Sequence, residues 1–180
     1  EQSQTIWREM NTAGNFGQDW ASIYLGDVAL NRGEVDLARS LYQDVVTLLR
    51  EIGDINFLAY AVRRLGQLLW RNGDYGEAIA LCKESLDYNQ QVGSPRGVFG
   101  CLAGFAAIAI AQGRYQYAAQ LMAAVETQMV SMGITPMYMD RQEYDRNLAR
   151  LRTQLDEKTL TRFWAKGREM SLDQALAMVQ

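Results

Sequence analysis

Glycine recurs in this chain on two interleaved ladders, and their spacing constrains the fold more than any other feature. Gly33, Gly73 and Gly113 stand 40 residues apart, and Gly53, Gly93 and Gly133 keep the same interval half a period later. A fixed period of this length is the mark of one supersecondary unit repeated and stacked on itself. Three segments around the first ladder are alike: LGDVALNRGEVDLARSL (Leu25–Leu41), LGQLLWRNGDYGEAIAL (Leu65–Leu81) and FAAIAIAQGRYQYAAQL (Phe105–Leu121). In each, an apolar helix runs into a glycine, which takes the left-handed conformation that closes a helix. A return helix follows, with Ala38, Ala78 or Ala118 five positions past the glycine.

Apolar residues at three- and four-residue steps place helices on both sides of every turn. Trp20, Ile23, Tyr24, Asp27 and Leu30 mark the first, and Leu37, Leu41, Val45 and Leu48 stripe its return helix over Val35–Ile52. Leu58, Val62, Leu65 and Leu69 belong to the second repeat, with Ala78, Leu81, Ser85 and Leu86 on its return helix. Asp54 and Ser94, the latter followed by Pro95, have the side chains and positions of helix caps. The first helix of repeat three is rich in small residues (Gly100, Ala103, Gly104, Ala107), which predicts close approach by a neighbour, since interior glycine costs about 1 kcal/mol of helix propensity. After Gly133 the pattern changes. Asp140 with Glu143 reads as a capping box opening a helix that carries Tyr144, Leu148, Leu151 and Leu155, and two short helices follow over Lys158–Lys166 and Leu172–Val179. Ser171 and Gln174 form a second capping box. No segment alternates with period two, so the expected class is all-α. The expected organisation is residues 1–13 as the tail of a preceding repeat, 14–134 as three helix pairs, and 135–180 as a deviating final helix with short capping helices.

Composition limits the chemistry. The chain of 180 residues has no histidine and two cysteines, Cys82 and Cys101, which read as small core residues of a reducing compartment. That removes most nucleophile–base pairs and the usual zinc ligand sets, and the expectation is no catalytic residue, no metal and no cofactor. The glycines of GSPRGVFGCLAG (Gly93–Gly104) lack the preceding strand and the lysine of a phosphate loop. A net charge of −3 argues against general nucleic-acid or anionic-membrane binding, although Arg141–Arg168 holds eight Lys/Arg against four Asp/Glu. The apolar run Cys101–Ala111 is too short to span a bilayer, and EQSQTIWREM lacks the pattern of a signal peptide, so a cytoplasmic location is expected.

Setting Gly26, Gly66 and Ala106 in register gives a column of small residues, preceded by Leu25, Leu65 and Phe105 and followed by the turn glycine and then alanine. This leucine–small–glycine–alanine arrangement resembles the tetratricopeptide repeat, whose usual period of about 34 is shorter by about six residues. The family's tryptophan, tyrosine and proline columns are absent, with Ser22, Val62 and Leu102 at one such position. Longer repeats of this type resemble the superhelical sensor region of bacterial LuxR/MalT-like and signal-transducing ATPase (STAND) regulators. The tail is similar to the C-terminal end of such predicted ATPase regulators through Trp164, Gly167, Arg168, Met170, Ser171, Leu172, Ala175 and Leu176. The resemblance implies an antiparallel helix-pair solenoid, a right-handed superhelix with a helical C-terminal cap, and an ATPase domain upstream in the full-length protein.

The same resemblance places the first helix of each repeat along a concave groove. Trp20, Asp27 and Asn31 of repeat one and Tyr60, Arg63, Gln67, Trp70 and Arg71 of repeat two are the candidate contact residues. Aromatic and arginine side chains side by side make good anchors, because they combine buried area with directional bonds. An alternative reading packs Trp20 and Trp70 between repeats. Repeat three offers Gly100, Ala103 and Ala107 as an apolar wall to be covered by Tyr144, by Trp164 or by a partner. The function this predicts is non-catalytic: a recognition module for a protein, peptide or small-molecule inducer, acting as the sensor arm of a multidomain regulator. The alternative is a stand-alone scaffold or self-association module that takes partner peptides in the groove, and a more remote one is nucleic-acid contact through the basic tail helix.

Overall fold

The computed structural model of the chain describes residues 16–136 and 138–180, with side chains from residues 21–136 and 140–180. Residues 1–13, read as the tail of a preceding repeat, and the side chain of Trp20 lie outside the described residues. Nine helices make up the described fold, without a strand: α1 (Phe16–Arg32), α2 (Val35–Ile52), α3 (Ile55–Asn72), α4 (Tyr75–Gln91), α5 (Pro95–Ala111), α6 (Tyr115–Ser131), α7 (Tyr138–Gln154), α8 (Glu157–Arg168) and α9 (Leu172–Ala177). Successive helices from α1 to α6 pack on one another in turn, as in a helical repeat.

Both glycine ladders are built into the turns. All six glycines have φ between 63° and 94°, a region that a side chain with Cβ rarely occupies. After each, the next residue donates its N–H to the carbonyl five positions back: Glu34 to Ala29, Asp54 to Leu49, Asp74 to Leu69, Ser94 to Asn89, Arg114 to Ala109 and Ile134 to Met129, at 2.8–3.2 Å. This is the Schellman closure, which satisfies carbonyls left over at a helix end. Asp54 caps α3 through Phe57 N–H and Ser94 caps α5 through Gly97 N–H.

Helix α3 is the centre of the core. Every residue from Ala61 to Leu69 is buried, and α1, α2, α4 and α5 all pack against it. Its Leu65 and Leu68 are 7% and 0% exposed. The equivalent residues of α1, Leu25 and Val28, are 58% and 46% exposed, because no described helix lies where α2 lies for α3. The return helix α2 departs from the expected stripe. Ala38, Tyr42, Val45, Val46 and Leu49 are buried, while Leu37 is half exposed. The buried face is turned by about one residue, or 100°, because Tyr42 is drawn inward. Its ring fills the space left by Gly26, where an added Cβ would come within 2.5 Å of a ring carbon.

The pattern breaks after α6. Helix α7 touches α5 and α6 only lightly, whereas α8 packs along much of α6. The capping-box spacing predicts Asp140 as the cap of α7, but the helix begins at Tyr138 and Asp140 sits within its first turn. Asp156 caps α8 through Thr159 N–H, and Ser171 with Gln174 closes a reciprocal capping box at α9. No described helix is long and apolar enough to cross a membrane.

Candidate functional site

Tyr60, Arg63, Gln67, Trp70 and Arg71 follow at helical steps along one face of α3. Arg64 lies beside Arg63 on the adjoining flank. Two layers of charge are organised by these neighbours, one inside the stack and one beneath α7.

The inner layer joins repeats one and two. Arg64 donates from Nε and Nη2 to Oδ1 of Asp27 at 2.8 and 2.6 Å. Tyr42 donates to the same oxygen at 2.5 Å, and Arg64 Nη1 donates to Gln67 at 2.6 Å. Asp27 and Arg64 are each 2% exposed. Burial, and then the Asp27 charge, push the Tyr42 hydroxyl far above its ordinary pKa, so it keeps the proton that it donates to Asp27. The second Asp27 oxygen, Oδ2, has no hydrogen-bond partner among the described residues.

The outer layer joins α3 to α7. Arg63 grips Asp140 with a two-pronged fork at 2.9 and 3.1 Å, and its guanidinium lies 5.1 Å from the centre of the Tyr60 ring. A Cβ on Gly100 would lie 3.1 Å from that guanidinium, so the glycine in α5 makes room for the arginine. Glu143 accepts from Arg71 at 2.6 Å, Gln67 at 3.1 Å and Arg146 at 2.7 Å. Burial works to raise both carboxyl groups, but it is outweighed. Arg63 and then Arg64 hold Asp140 below the usual carboxylate range, and Arg71 with Arg146 does the same for Glu143. Burial likewise opposes the charge on Arg63, and Asp140 more than restores it.

Tyr144 extends this contact onto α5 and α6. It donates to Glu126 at 3.1 Å and lines two cavities over the small residues Gly100 and Ala103. One, of about 40 Å³, also borders Trp70 and Asn147; the other, of about 160 Å³, is walled by Phe99, Val125, Met129 and Ile134. Trp164 lies elsewhere, near Leu148, Arg152 and Leu160.

The structure thus brings Tyr60, Arg63, Gln67 and Arg71 together, with Trp70 half-buried at the edge. Asp27 stands in the inner layer. Asn31 is exposed and makes none of these bonds. Four participants had no sequence signal strong enough to place them: Arg64, Tyr42, Asp140 and Glu143. The three-residue spacing of Asp140 and Glu143 does put two carboxylates on one helix face, but a capping box has that same spacing.

The groups on this face supply charge-assisted hydrogen bonds and guanidinium–aromatic contacts. The thiols of Cys82 and Cys101 are buried, and burial pushes Cys82 up to about 12, so neither is a thiolate near neutral pH. Among the described residues no group of three His, Cys, Asp or Glu side chains could hold a metal ion. No family model, curated protein or solved structure matches the chain.

Proposed function

We propose that this chain is a non-catalytic recognition module, a tetratricopeptide-like antiparallel solenoid coiled as a right-handed superhelix. It serves as the sensor or interaction arm of a multidomain bacterial signalling or transcription regulator with an ATPase domain upstream. The observation that carries the reading is the convergence of Tyr60, Arg63, Gln67, Trp70 and Arg71 on one side of α3, with cavities left beside them. Such a surface suits a protein, peptide or small-molecule inducer. A ligand that binds one arrangement of the array more tightly shifts the switch it is attached to by that differential affinity. The test is ATP turnover by the full-length protein, with and without Trp70→Ala. An arm that gates the switch gives an altered basal or induced rate, and a full-length protein without a nucleotide-binding segment overturns the assignment.

A scaffold or self-association role is the second reading, and the exposed Leu25 and Val28 of α1 favour it. Burying both would contribute roughly 3 kcal/mol or more to an interface. Light scattering of the chain and of Leu25→Glu should then show a dimer that the substitution dissolves; a monomer in both cases removes this reading.

A further inference from the structure

Helix α7 is seated in the way a ligand is seated. Of its described side chains only Asn147 and Leu151 are buried, Tyr144 and Leu148 pack on the core in part, and the rest of the helix is dominated by charge. Its polar grip on α3 consists of Asp140 in the fork of Arg63, with Arg64 3.6 Å away, and Glu143 between Gln67 and Arg71. The donors repeat at four-residue steps on α3 and the acceptors at a three-residue step on α7, so two helix faces meet in register. The stack does not depend on α7 for continuity, because α8 packs on α6 directly. The fit beneath α7 is also incomplete, since the cavity of about 160 Å³ beside Tyr144 remains open under it.

The geometry points to a binding site on α3, made by Arg63, Gln67 and Arg71, for a partner-protein helix that presents two carboxylates one turn apart. Helix α7 holds that site in cis, and the partner helix takes its place. This rests on the reading of the chain as a recognition module and names the chemistry of what it recognises. Two fixed guanidinium groups, with an amide between them, select carboxylates at that separation and disfavour amides of the same shape, which carry no charge, offer one acceptor oxygen instead of two and turn an N–H₂ toward the donors. An aromatic or long apolar side chain one position after the second carboxylate, where α7 carries Tyr144, would reach the open cavity. The cis helix sets the threshold. A tethered segment competes at an effective concentration in about the millimolar range, so only a partner that fits better, or is held nearby, displaces it.

The test uses the whole chain and a labelled peptide of the sequence Tyr138–Leu155, followed by fluorescence anisotropy. The chain carrying Asp140→Asn with Glu143→Gln should bind the peptide at least about ten-fold more tightly than the unaltered chain, the size expected when charge-assisted bonds of the cis helix are lost. A peptide with the same two carboxylates changed to amides should bind neither chain, and adding Arg71→Ala should abolish the gain. Hydrogen exchange of residues 138–154 is read in parallel. It should accelerate by about ten-fold or more in the double variant while α8 keeps its protection. Equal binding of acidic and amide peptides by the folded double variant, or unchanged protection of α7, overturns the proposal. If Trp70→Ala still alters turnover of the full-length protein in that case, the arm survives and only the carboxylate-helix ligand is lost.

Discussion

Helices α7 and α8 are neighbours in sequence and are held by opposite means. α8 is held by close packing. Gly167 is buried against α6 so tightly that an added Cβ would lie 2.1 Å from the carbonyl oxygen of Gln120, and Leu160, Phe163 and Trp164 pack onto the core. The segment after it is tied back by Gln128 to the Met170 carbonyl at 2.9 Å and by Tyr117 to the Met178 carbonyl at 2.6 Å. α7 also packs Leu151, and in part Tyr144 and Leu148, on the core, but at its N-terminal half it is fixed by Asp140 and Glu143 on the arginines of α3. Packing depends on volume and shape, whereas ion pairs of partly exposed groups depend on pH and salt. The two helices should therefore respond to different perturbations, and that separation can be attacked directly.

The largest effect is expected one layer below α7. Asp27→Ala takes from the buried Arg64 its closest carboxylate, which should lower stability by about 3–5 kcal/mol in urea unfolding. Hydrogen exchange should show the loss in α1, α2 and α3. The layers touch through Arg64, which bonds Gln67 at 2.6 Å and lies 3.6 Å from Asp140; if protection falls in α7 alone, the buried pair serves the outer contact and not the stack, and the contrast between packing and charge has been drawn in the wrong place. Gly167→Val comes next, at about 1–3 kcal/mol, because the obstructing atom is backbone and cannot move aside cheaply. It should release α8 and α9 and leave the Arg63–Asp140 contact protected; a simultaneous loss of α7 would show that the two helices depend on each other.

Acid is a weaker lever and acts in the reverse sense, on α7 first. Asp140 and Glu143 have folded-state pKa values below their ordinary ones. Their contribution is therefore complete above about pH 4–5 and is lost as the pH falls through the depressed values. Residues 138–154 should lose protection below about pH 4 while the packed face of α8 keeps its own. Raised salt should act in the same direction at neutral pH. Equal acid sensitivity of the two helices would abolish the distinction.

The glycine ladders made the repeat legible because only a positive φ closes a helix in that way, and a residue type so tied to one backbone conformation can be read without coordinates. Periodicity alone does not set the direction of the α2 face, because Leu37 and Tyr42 are both apolar enough for a core. The choice between them rests on a partner 16 residues earlier, the ring-sized gap at Gly26. The groove residues of α3 could be picked by periodicity, but what they face could not. Arg63 and Asp140 are 77 residues apart, and a carboxylate three residues before another looks the same whether it caps its own helix or bonds another. Charge pairing across a fold leaves no period in the sequence. Arg64 is hidden for the same reason, since one helical step separates a groove position from a core position and only the neighbours at Asp27 and Tyr42 decide which is which.

The smallest effect tests how far the packed end relies on its last local device. Ser171 accepts from Gln174 N–H at 3.2 Å, and Gln174 returns the contact by accepting from Ser171 N–H at 2.8 Å. The helix they open, α9, is 6 residues long, too short to persist on its own. Its Ala175 and the following Val179 are nonetheless buried. Ser171→Ala removes one side of the box and should cost about 1 kcal/mol, seen as faster exchange confined to residues 171–180. If packing dominates this end as the contrast with α7 requires, Ala175 stays docked and α8 is unmoved at any salt concentration. A salt-dependent loss that spreads into α8 would mean that polar contacts, including Lys83 with the Gln180 carbonyl at 2.9 Å, hold the end as charge holds α7.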